Sequence, residues 1–201
     1  MKKRNFIIIV AAIVTAIAVI GAIITVKMIK ANEFYLEAYY AMKCETFLKE
    51  NPTFESGQIV FIGDSITDGY DLDKYYDLPL EVYNRGIGGD TTAGVINRLA
   101  LSLFDIDPTV VVLLIGINDL NSGKSASYVL DNYKIILAEI QKRLPDATVF
   151  IQSIYPVKDK QYHIEKSTEA ILNVNSELKP LAESFGYTYI ELFGLLADGN
   201  N

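Results

Sequence analysis

From Phe6 to Val26 the chain runs for 21 residues without a charge, FIIIVAAIVTAIAVIGAIITV. As a helix rising about 1.5 Å per residue, this stretch is about 30 Å long, the thickness of a bilayer's hydrocarbon core. It has no polar face, unlike a helix that packs one stripe against a soluble core. A cleaved signal peptide carries a shorter apolar region, about 7–15 residues. Ala16 and Ala18 offer an A-x-A pattern, but the apolar sequence continues past it. The expectation is an uncleaved signal anchor over residues 1–30 that crosses the membrane once. Lys2, Lys3 and Arg4 precede the helix, and Lys27 and Lys30 follow it. The positive-inside bias favours a cytoplasmic amino terminus and an extracytoplasmic domain.

Residues 31–54 read as an amphipathic juxtamembrane helix. Tyr35, Tyr39 and Met42 recur at helical spacing, as do Phe34 and Ala38, and Asn51-Pro52 ends the pattern. An aromatic belt at the lipid headgroups is the competing reading of Phe34 and Tyr35. Cys44 is the only cysteine, so no internal disulfide forms. It reads as a semi-buried structural residue, with palmitoylation as the alternative if it faces the cytoplasm.

Beyond residue 30 the chain holds 13 basic against 25 acidic side chains, a net charge of −12. Such a domain does not attract nucleic acid or an anionic lipid surface. One histidine, His163, and one cysteine argue against a metal centre of the usual nitrogen and sulfur ligands.

From residue 55 to 201 short β-branched runs alternate with helical patterns. Strands are expected at Ile59–Ile62, Glu81–Asn84, Thr109–Ile115, Thr148–Ile154 and Tyr187–Leu192. The run TVVVLLI is apolar throughout, as a central parallel strand should be. Helices are expected at Thr91–Phe104, Ala126–Leu144 and Lys166–Phe185, the last kinked at Pro180. The alternation predicts an α/β domain, a parallel sheet with helices on both faces and its chemistry at the carboxyl ends of the strands.

Three segments sit at those ends. The first strand runs into Gly63-Asp64-Ser65-Ile66-Thr67-Asp68-Gly69. A serine at a tight strand-to-helix turn exposes its hydroxyl and leaves its own N–H unspent, although a helix cap is the simpler role. The second strand ends in Asn84-Arg85-Gly86-Ile87-Gly88-Gly89-Asp90-Thr91-Thr92. Its glycines let backbone approach a ligand. No G-K-[ST] follows, and the third glycine of a dinucleotide fingerprint is missing. The third strand ends in Gly116-Ile117-Asn118-Asp119-Leu120, where Asn118 either aims an amide donor at the same edge or forms a turn. Asp64, Asp68 and Asp119 read as loop braces, and Asp90 as the cap of the next helix.

Together, GDSIT, NRGIGGDTT and GIND resemble blocks I, II and III of the SGNH hydrolases, or GDSL esterases/lipases, in order and spacing. The resemblance covers roughly residues 55–197. It implies a flavodoxin-like, doubly wound, five-stranded parallel sheet and a serine esterase needing no metal or organic cofactor. It makes Ser65 the nucleophile. The oxyanion hole would be the N–H of Ser65, the N–H of Gly89 and the side chain of Asn118. Its substrates would be small-molecule, glycan or lipid esters; family membership does not choose among them.

The family's fourth signature, a D-x-x-H segment after the last strand, is not found. The chain ends Gly194-Leu-Leu-Ala-Asp-Gly-Asn-Asn201, and no histidine follows His163. His163 lies after the fourth strand rather than the fifth and reads as a solvated loop residue; Asp198 reads as a turn. The expectation is a domain truncated at its C-terminus and nearly inactive as an esterase. A non-catalytic membrane-tethered binding module is the alternative, and an unrelated flavodoxin-like binder of anions is a third reading.

Overall fold

The computed structural model describes residues 2–157 and 167–197, with side chains described from Ile13 onward and not at Ser167. Two compact units divide between Tyr39 and Tyr40. Helix α1, Lys2–Glu50, begins in the first unit and ends in the second.

The first unit is helical. Ile17, Ile20, Ile23 and Met28 are all more than half exposed. By length and composition α1 is apolar and long enough to cross a membrane, close to the N-terminus of the chain.

In the second unit the end of α1 packs through Tyr40, Lys43, Cys44 and Phe47, spaced three and four residues apart. The expected stripe through Met42 is not the packed one: Met42 is 50% exposed, whereas Phe47 is 2% exposed. The face was misread because its central residues include a lysine and a cysteine, which do not stand out as apolar. Phe47 lies 4.3 Å from the buried Arg85 guanidinium, and Phe54 stacks on it at 4.6 Å. Arg85 also pairs with Glu50 at 2.6 Å and donates to Asn51 at 2.9 Å. Pro52 follows in a single 3-10 turn, Asn51–Thr53, where its missing N–H costs nothing.

Strands β1 (Ile59–Gly63), β2 (Val82–Gly86), β3 (Val110–Leu114), β4 (Thr148–Gln152) and β5 (Thr188–Ile190) form one wholly parallel sheet. Their order is β2-β1-β3-β4-β5. The short helices α2 (Ser65–Asp68) and α3 (Leu72–Tyr75) lie between β1 and β2, and α4 (Thr92–Leu99) follows β2. After β3 come α5 (Ile117–Asn121) and α6 (Ala126–Arg143). Helix α7 (Ser167–Ser184) precedes β5 and continues through Pro180, and α8 (Phe193–Leu196) follows β5.

Val60, Ile62, Val111, Leu113, Val149 and Ile151 form one face of the sheet and join a core with α4, α6 and α7. The alternate positions Ile59, Phe61 and Val112 make a smaller cluster with Leu72 of α3. Where sequence periodicity predicts regular helix to Phe104, residues Ala100–Phe104 widen into π geometry. Ser102 turns inward there to accept a hydrogen bond from Arg98 at 2.9 Å. Because β1 lies between β2 and β3, the chain leaves it toward one neighbour and returns to the other. The carboxyl ends of these three strands therefore border the crevice where ligands bind in open α/β sheets.

Candidate active site

Asp64, between β1 and α2, turns its carboxylate back to accept the Ile66 N–H at 3.0 Å. Asp64 is therefore the helix cap, not Ser65. Ser65 occupies the first helical position and is exposed. Among the described residues neither its hydroxyl nor its N–H has a hydrogen-bond partner, as expected for an N–H in the first turn.

The loop after β2 needs its glycines. A Cβ on Gly86 would strike the backbone of Asp68, so α2 rests directly on β2. Gly89 has φ +81°, a region that favours glycine, and its N–H has no partner among the described residues. Gly88 donates its N–H to Asp68 Oδ2 at 2.9 Å. Asn84 donates to the Thr67 carbonyl at 2.7 Å. These bonds join β2 and the loop after it to the Ser65 helix.

Asp90 does not cap α4. That position belongs to Thr91, whose hydroxyl accepts from the Gly94 N–H at 3.2 Å. Asp90 is buried instead, with Oδ2 2.7 Å from Arg98 Nε. Arg98, only 2% exposed, donates further to the carbonyls of Arg85 at 2.8 Å and Gly63 at 2.9 Å. One guanidinium thus ties the ends of β1 and β2 to the loop between β2 and α4. The sequence signal was available: Arg98 falls on the α4 face that buries Val95 and Leu99, where a cation needs an acidic partner.

After β3, Gly116 at φ +123° turns the chain into α5. Asn118 Nδ2 donates one hydrogen to the Asp90 carbonyl at 2.8 Å, which leaves the second amide hydrogen. Asp119 accepts from Thr92 N at 2.9 Å and Thr92 Oγ1 at 2.8 Å. Asp64, Asp68 and Asp119 all brace loops. Ser65, Gly89 and Asn118 thus lie in three segments that follow three adjacent strands, Ser65 and Asn118 in the short helices α2 and α5 and Gly89 in a loop, cross-linked by these bonds.

Electrostatics set Asp64 apart. Its carboxyl is 1% exposed, and Oδ2 has no partner among the described residues. Burial pushes its pKa up to about 7, against the lowering effect of the Ile66 N–H; Asp90 and Asp119 add to the rise. Burial likewise raises the Asp119 carboxyl.

A cavity of about 340 Å³ lies beside α2, walled by Phe61, Ile66, Tyr70, Tyr76, Leu114 and Tyr155 among others. Among the described residues no group of His, Cys, Asp and Glu side chains is placed to hold a metal ion. His163 and Asp198 lie outside the described residues.

The model of the GDSL-like lipase/acylhydrolase family matches residues 61–201. Platelet-activating factor acetylhydrolase IB subunit alpha1 of Bos taurus is 36% identical over 103 residues, covering 49% of this chain and 44% of that protein. The chain thus matches less than half the length of this curated relative. A Streptococcus pneumonia protein provisionally described as a platelet activating factor superposes with a TM-score of 0.79 at 25% identity, covering 85% of this chain and 83% of that one. A GDSL-like lipase from Bacteroides thetaiotaomicron shares the fold at 18% identity, with a TM-score of 0.70 over 78% of this chain and 81% of that one.

Proposed function

The chain belongs to the GDSL-like lipase/acylhydrolase family, and from that premise we propose that it is a serine ester hydrolase working through an acyl-Ser65 intermediate. The Ser65 oxygen attacks the ester carbonyl, and the tetrahedral oxyanion is held by Ser65 N–H, Gly89 N–H and Asn118 Nδ2–H. The alcohol leaves with a proton, and water then cleaves the acyl-enzyme. The supporting observation is an exposed serine at the end of β1, with the N–H groups of Ser65 and Gly89 unpartnered among the described residues and one hydrogen of the Asn118 amide left over after its bond to Asp90, on segments tied to one another. Fixed donors of this kind hold developing charge without reorganising, each worth about 3–4 kcal/mol of barrier.

The alcohol portion belongs to a small molecule, a glycan or a lipid. The similarity to an acetylhydrolase subunit supports a short acyl group. Residues 1–30 anchor the protein, residues 31–54 leave the membrane, and residues 55–201 form an extracytoplasmic hydrolase domain. The apolar length of α1 supports this arrangement.

A serine hydroxyl is a weak nucleophile without a base beside it, and among the described residues none is bonded to Ser65 Oγ. Turnover should therefore depend on a base that reaches Ser65 Oγ. The test is hydrolysis of a short-chain aryl ester by this chain and by the same chain extended with a D-x-x-H segment. The extended chain should be faster by orders of magnitude, and Ser65→Ala should abolish the gain. An extended chain as inert as the original would favour a membrane-tethered binding module.

A further inference from the structure

Helix α1 reaches the loops of the site through a charged side chain. Lys43 Nζ lies 2.8 Å from Asp68 Oδ1, across 25 residues of sequence. The two side chains are 20% and 14% exposed, so this ion pair is screened less than one on the open surface. Asp68 is the last residue of the helix that begins with Ser65. Its other oxygen accepts the Gly88 N–H at 2.9 Å, and Gly88 directly precedes Gly89. One carboxylate therefore joins the Ser65 helix, the Gly89 loop and a cation on α1. Three residues before Lys43, Tyr40 donates its hydroxyl to the Gly94 carbonyl at 3.0 Å, in the first turn of α4. The end of α1 thus holds the segment from Gly88 to Gly94 near both of its ends.

We infer that Lys43 is a positioning residue for acyl transfer: its ammonium fixes the Asp68 carboxylate, and through it the Gly88 amide and the adjoining Gly89 donor. This inference rests on the assignment of Ser65 and Gly89 to the site. Taking away the ammonium removes a charge 2.8 Å from Asp68 Oδ1 that holds the carboxylate in place, and the Gly88 bond loosens with it. A displacement of about 1 Å at a site of this kind costs on the order of 10²-fold in rate. Were Lys43 only a clamp on α1, its loss would lower thermal stability and leave the chemistry of the loop unchanged.

The test uses the full chain in detergent, with Lys43→Met, Lys43→Arg and Ser65→Ala beside the unaltered protein. Two quantities are read: amide hydrogen exchange in peptides spanning residues 85–91, and the rate of Ser65 phosphonylation by an alkyl fluorophosphonate. In Lys43→Met, exchange should quicken on the order of tenfold, the scale of one charge-assisted hydrogen bond. Phosphonylation should slow by at least as much while exchange in β3 stays unchanged. Lys43→Arg, which keeps the cation, should restore both. Unchanged exchange in Lys43→Met overturns the inference, and so does quickened exchange with phosphonylation at the original rate. If Ser65→Ala is labelled like the unaltered chain, the nucleophile assignment fails instead, while the exchange result still decides whether Lys43 holds the loop.

Discussion

Asn118 donates its side-chain amide to the carbonyl oxygen of Asp90 at 2.8 Å. This bond fixes the plane of the Asn118 amide and directs its second hydrogen away from Asp90. It also joins the loop after β3 to the loop after β2. Asn118→Ala should cut ester turnover by about 10²–10³-fold, the usual loss for one oxyanion donor, with a smaller effect on KM. Steady-state kinetics of the chain carrying an added D-x-x-H segment checks this. A change confined to KM would mean that Asn118 binds substrate without stabilising charge.

Arg98→Met should destabilise the second unit by about 3–5 kcal/mol, because it leaves the Asp90 carboxylate buried without its partner. The shift in the urea midpoint at constant m-value measures the loss. A loss under about 1 kcal/mol would show that Asp90 finds another partner or is protonated at little cost.

Asp64 gives stability a pH dependence of definite sign. Its carboxyl rises from an ordinary 3.8 to about 7 in the folded chain. Between those values the folded chain holds a proton that the unfolded chain has released. Its contribution is full below about pH 4 and is lost as pH rises through about 7. Asp64→Asn keeps an oxygen for the Ile66 N–H and removes this titration. Urea midpoints from pH 4 to 8 should slope less steeply downward in the variant; identical slopes would contradict the assignment. Some slope should survive, because burial also raises Asp119.

The parallel sheet was legible because a strand covered on both faces must be apolar along its length, as TVVVLLI is, and because strands alternate with long amphipathic helices. The glycines after β2 were legible in the sequence, since close backbone approach needs glycine at Gly86 and a positive φ favours it at Gly89; the three segments were singled out as a candidate site by their joint resemblance to the blocks of a known family. The roles of the aspartates were harder to read. Asp64 and Thr91 cap helices where Ser65 and Asp90 were the candidates, and adjacent Asp, Ser and Thr residues compete for a cap on nearly equal terms. Lys43 was missed because its partner, Asp68, lies 25 residues away in another element, and periodicity within one helix carries no information about it; Arg98 was overlooked although its place on the apolar face of α4 called for an acidic partner nearby.

Deleting residues 1–30 should convert a protein of the membrane fraction into a soluble one, given the 21 uncharged residues from Phe6 to Val26. Ultracentrifugation with immunodetection at both ends of the chain distinguishes the outcomes. Intact chain in the soluble fraction, with its amino terminus retained, would overturn the anchor.

Peptide mass spectrometry after treatment with an alkyl fluorophosphonate decides whether Ser65 is the nucleophile of an acyl-transfer site. One phosphonyl adduct is predicted, on the peptide carrying Gly63-Asp64-Ser65 and localised to Ser65, formed faster when a D-x-x-H segment is added to the chain and lost in Ser65→Ala. An adduct on another residue, or labelling that persists in Ser65→Ala, would mean that Ser65 is not the nucleophile.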